Sequence, residues 1–97
     1  MEWSVEGNLD AHVNASSGIT LHLKDEGADE DAASFAIDYN SYATSLVTPS
    51  GERQQIFSIE ELDKALLAEG LKPIAGEIRW KVGGMLRFIA EDRKEYA

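Results

Sequence analysis

His12 and His22 are the residues of this chain whose type and placement most directly suggest chemistry. Each sits in a run where apolar and polar residues alternate. In the first run Trp3, Val5, Gly7, Leu9, Ala11 and Val13 take the odd positions, with Ser4, Glu6, Asn8, Asp10 and His12 between them. In the second, Ile19, Leu21 and Leu23 alternate with Thr20, His22 and Lys24. A period of two sends successive side chains to opposite faces, so each run reads as a strand with one dry and one wet face. A hairpin that closes through Ser16-Ser17-Gly18, with Gly18 left-handed as three-residue loops require, places Val13 opposite Leu21 and Ala11 opposite Leu23. On the wet face His12 then opposes His22, and Asp10 opposes Lys24. Directly opposed residues have Cβ atoms about 5 Å apart, close enough for two imidazoles to share a metal ion, with Asp10 or Asn14 adding an oxygen. The competing reading is two solvated histidines on a strand face. His12 and His22 are therefore the expected metal ligands if the chain binds one.

A second constellation is acidic. Asp25-Glu26-Gly27-Ala28-Asp29-Glu30-Asp31 has no large apolar group and reads as a surface loop, 25–31. It resembles a calcium loop in composition only, since an EF-hand needs glycine sixth and glutamate twelfth. Asp25, Glu26, Asp29, Glu30 and Asp31 are instead the candidate partner-binding residues, facing a protein with a basic surface. An array of this kind can also stand in for nucleic-acid phosphates in an Arg-rich groove, and such binding weakens steeply with salt.

Charge and composition exclude several classes. The formal net charge is −9, and it is polarised. Residues 1–47 hold nine acids and one base, while residues 70–97 hold four acids and six bases. Direct contact with nucleic acid or an anionic membrane is disfavoured, because both reward clustered Lys and Arg. The chain has no cysteine, which excludes thiolate metal sites, thiol catalysis and a disulfide framework. The start Met1-Glu2-Trp3-Ser4 has neither a basic region nor an apolar run, and no stretch approaches the roughly 20 apolar residues of a membrane span. A soluble protein in the cytoplasm is expected.

No serine lies in a strained-turn context beside a histidine, and no carboxylate is placed in an apolar pocket. Gly83-Gly84 lacks the lysine and threonine of a phosphate loop, and no cofactor is expected. Arg79, Lys81, Arg87, Arg93 and Lys94 interleave with Trp80, Phe88 and Tyr96, a faint likeness to single-strand nucleic-acid surfaces. Alternation sends Trp80 away from Arg79 and Lys81, so core packing suits it better. Asn14-Ala15-Ser16 matches a glycosylation sequon by chance.

The elements that must position these groups follow from pattern and turn chemistry. Residues 34–39 and 42–48 read as strands, with turns at Asn40-Ser41 and at Thr48-Pro49-Ser50-Gly51. Gln54 to Phe57 suits a short edge strand. Residues 58–69 form a helix: Ser58 and Glu61 make a capping box, and Gly70 suits a left-handed terminus. Ile78, Trp80 and Val82 alternate as a strand, Gly83-Gly84 suits a hairpin turn, and residues from Met85 onward fit a strand or a helix. The expected fold is α+β in one small domain, 1–97: an antiparallel sheet of about five strands packed against helix 58–69. Trp3, Val5, Leu9, Val13, Ile19, Leu21, Leu23, Phe35, Ile37, Leu62, Leu66, Ile78, Trp80 and Val82 are the expected core. The expected function is a non-catalytic acidic binding module, an inhibitor or small regulatory protein. Its alternatives are a structural subunit of a phage or mobile-element assembly, or a weak metal-binding protein. An exposed edge strand would allow a homodimer.

Overall fold

A computed structural model of the chain describes residues 1–7, 18–38 and 41–96, apart from the side chains of 94–96. Five strands, β1 Glu2–Glu6, β2 Ile19–Lys24, β3 Ala33–Asp38, β4 Ala43–Val47 and β5 Arg53–Gln55, precede two helices, α1 Ile59–Ala68 and α2 Gly76–Tyr96. The fold is α+β. The strands form one antiparallel sheet in chain order, with β1 and β5 at its edges.

Alternation decides which face is dry. Ile19, Leu21 and Leu23 of β2, Ala33, Phe35 and Ile37 of β3, and Thr44 and Leu46 of β4 are buried on one side. The same cluster contains Leu62 and Leu66 of α1 and Val82, Met85, Leu86 and Ile89 of α2. Both helices therefore lie on that side of the sheet, and the residues between the buried ones form the opposite, outer face.

The register of the first hairpin differs from the expected one. Trp3 pairs with Leu23, Ser4 with His22 and Val5 with Leu21. The even parity demanded by a shared dry face is kept, but β2 is matched by residues 2–6 rather than 10–15. Ser4, not His12, stands opposite His22, and Glu2, not Asp10, stands opposite Lys24. Leu9, His12, Val13 and the 14–16 sequon lie outside the described residues. Gly18 also serves another end. It does not have a positive φ, and a Cβ there would strike the carbonyl oxygen of Ile37. Close backbone approach, not a left-handed turn, requires the glycine.

Helix α1 ends as its sequence dictates. The Glu61 amide donates to Ser58 Oγ at 3.1 Å, and Glu61 Oε2 reaches back to the Phe57 amide at 3.4 Å. At the other end Gly70 adopts φ +69°, the Leu71 amide bonds the Leu66 carbonyl at 2.9 Å and the Gly70 amide that of Leu67 at 3.1 Å. That pair of bonds is a Schellman terminus, closed by Leu71 packing into the core.

The strand expected at 78–82 is instead part of α2, a helix of 21 residues that runs through Gly83-Gly84. Period two spans only Ile78 to Val82, whereas Ile78, Val82, Met85 and Ile89 continue at helical spacing. Coverage of the sheet favours the helix. The ten residues of α1 extend about 15 Å, short of the ~19 Å breadth of five strands. Two helical glycines cost about 1 kcal/mol each, while burying Val82, Met85, Leu86 and Ile89 returns roughly 1.5–3 kcal/mol apiece. Trp80 pays for this in position: it is 75% exposed, not core. Ile78 is only half-buried, and Leu46, Ile56, Leu71 and Ile74 join the core unannounced.

Candidate functional site

The outer face of the β1–β2 edge collects most of the chemistry. Ser4 and Glu6 of β1, His22 and Lys24 of β2, and Asp29 and Asp31 of the 25–31 loop line a depression of about 380 Å³. A second, of about 420 Å³, shares Ser4 and Lys24 and adds Met1, Glu2, Asp25 and Glu26. Cross-strand pairing of β1 with β2 places Ser4 beside His22. The loop is folded over them by two backbone bonds, Ala28 N–H to Asp25 at 3.0 Å and Ala32 N–H to Leu23 at 2.6 Å. Gly27, at φ +81°, turns the chain between them.

His22 is the centre of this arrangement. Its Nδ1 lies 2.5 Å from Asp31 Oδ2, and its Nε2 lies 3.6 Å from Glu6 Oε2. The hydrogen bond to Asp31 raises the imidazole pKa above its ordinary 6.5. Partial burial opposes this, while the charge of Asp31 and the weaker approach of Glu6 add to it. Both ring nitrogens thus face carboxylates, a setting that favours the imidazolium. Among the described residues no group of three or more His, Asp or Glu is placed to hold a metal ion.

The Asp31–His22 pair also resembles two members of a Ser-His-Asp relay. The remaining ring nitrogen lies 3.6 Å from Glu6 Oε2.

The five partner-binding candidates separate. Asp31 is engaged by His22 and lies 3.9 Å from Lys24 Nζ. Asp25 stands 3.8 Å from the N-terminal ammonium. Glu26, Asp29 and Glu30 are exposed along the same rim. Glu2 and Glu6, which loop composition alone did not nominate, extend the rim, each more than three-quarters exposed. Strand pairing brings them there, and the signal for it was the alternation that puts both on the wet face. The neighbouring cation Lys72 is 3.3 Å from Glu2. This edge is therefore anionic with its nearby cations already paired.

Three basic residues of α2 serve the fold. Arg79 grips Asp63 with two bonds of 2.8 and 2.7 Å and donates to the Ile74 carbonyl at 3.1 Å, tying α2 to α1. That hydrogen bonding lowers the Asp63 pKa and raises that of Arg79. Lys81 pairs with Glu77 at 3.3 Å, and Arg93 lies 4.2 Å above the Phe57 ring. No helix among the described residues is long and apolar enough to cross a membrane. Comparison with protein-family models, with curated proteins and with solved structures gives no match to this chain.

Proposed function

We propose that the protein is a non-catalytic binding module that takes a basic protein partner on the outer face of its β1–β2 edge. The observation that carries this reading is the convergence of Glu2, Glu6, Asp25, Glu26, Asp29 and Asp31 around two open depressions, with exposed Glu30 on the same loop. Both depressions are open and carry carboxylates along their rims, which suits the Lys and Arg side chains of a partner. A rim of one sign steers a partner of the other sign and accelerates encounter. His22 fixes the floor by holding strand and loop together through Glu6 and Asp31. Inhibition or regulation of an enzyme with an Arg-rich groove fits such a surface.

The test is affinity capture from an extract of the native cells at low and high salt, with bound proteins quantified by mass spectrometry. Basic proteins retained at low salt and released at high salt are the expected result. Retention that salt does not change would contradict the reading.

A further inference from the structure

On the side of α2 turned away from the core, Trp80 is 75% and Phe88 45% exposed. Between them sit Gly83 and Gly84, glycines in a helix interior where alanine is favoured. Nothing among the described residues explains either one. Neither has a positive φ, and a Cβ built on either meets no atom of the described residues within 4 Å. Their small size leaves room for a side chain that approaches α2 from outside.

Glu77, Trp80, Gly84, Arg87 and Glu91 recur at alternating intervals of three and four, the spacing of a helix-pairing stripe. We propose that a second copy of this chain docks on this stripe, α2 against α2 and antiparallel about a two-fold axis. In that pairing Trp80 of each copy lies over Gly84 of the other, filling the space a larger side chain would occupy. Glu77, 77% exposed on its side chain, then faces Arg87 of the second copy at both ends. Arg87 forms no ion pair among the described residues, so the second copy supplies its counter-charge. Charge selects this register. Sliding the partner one layer sets Glu77 against Glu91 in one direction, and in the other sets Trp80 against Trp80 and leaves Arg87 without Glu77. A two-fold axis makes each favourable contact occur twice. The interface is small, so the dimer is a weak one seen at high protein concentration. It uses neither edge strand and is independent of the anionic rim.

Sedimentation velocity of the full chain over a wide concentration series tests this. The expected result is a monomer–dimer equilibrium, with Trp80→Ala weakening association by about tenfold or more, as loss of a central aromatic anchor does. Gly84→Leu is expected to be folded, with raised melting temperature, yet monomeric. Glu77→Arg is expected to weaken the dimer, and Glu77→Arg combined with Arg87→Glu to restore it. A monomer at every concentration overturns the proposal. So does a dimer that survives Gly84→Leu, which would be pairing elsewhere, or a charge swap that fails to restore association.

Discussion

His22 is held between two carboxylates, so its protonated ring is the form the fold favours. Because the folded pKa is raised, the stabilising contribution is complete below about 6.5 and is lost as pH climbs through the folded value. Ring resonances followed by NMR should titrate above 6.5 in the native protein and move back toward it in Asp31→Asn. A titration unchanged by that substitution would remove the hydrogen bond from the explanation. A second residue carries a cost rather than a benefit. Thr44 is fully buried, and its Oγ1 has no hydrogen-bond partner among the described residues, although its backbone amide reaches Gln55 Oε1 at 3.2 Å. Thr44→Val keeps the shape and removes the orphaned oxygen, so denaturant unfolding should show a gain of about 1 kcal/mol. A loss would mean that the hydroxyl is satisfied in solution. The candidate site was legible in residue types more than in pairs. The acids of 25–31 announced themselves, whereas the partner of His22 depended on a register that alternation alone does not fix.

At the scale of elements, the difference between what was legible and what was not comes from competing signals. Helix α1 carried its own cap, its own terminator and one apolar face, and each of these acts locally. Strands β2 to β4 kept their alternation, and the structure keeps it. The segment from Ile78 was readable in two periods, and the choice between them was made by the sheet, whose dry face α1 cannot cover alone. Trp80 followed from that choice: on a strand it joins Val82, on a helix it turns away. The junction of the two helices gives the prediction at this scale. Arg79 clamps Asp63 in a bidentate pair, and the lowered Asp63 pKa stabilises the fold above about 3.8, fading as pH falls through the folded value. Asp63→Asn should flatten the acid limb of the stability profile and speed amide exchange at the start of α2. A variant whose acid limb matches the parent would show that the clamp adds nothing to stability.

At the scale of the molecule, one layer of helices closes the dry face of the sheet and leaves chemistry to the other. The acidic and basic halves of the sequence occupy different parts of the fold. Arg79, Lys81 and Arg93 of α2 engage Asp63, Glu77 and the Phe57 ring, while the acids of β1 and the 25–31 loop gather along one rim. This division is what makes position, rather than net charge, the quantity to vary. Two doubly substituted chains separate the two: Asp29→Lys with Glu30→Lys on the rim, and Glu52→Lys with Glu60→Lys, both exposed but away from it. Each pair changes the net charge by the same amount. Capture of basic proteins from the native extract, measured for both beside the parent at low salt, is the most direct measurement. A docking rim at the β1–β2 edge predicts loss of capture in the first variant and near-parental capture in the second. Equal loss in both, or loss only in the second, would contradict it.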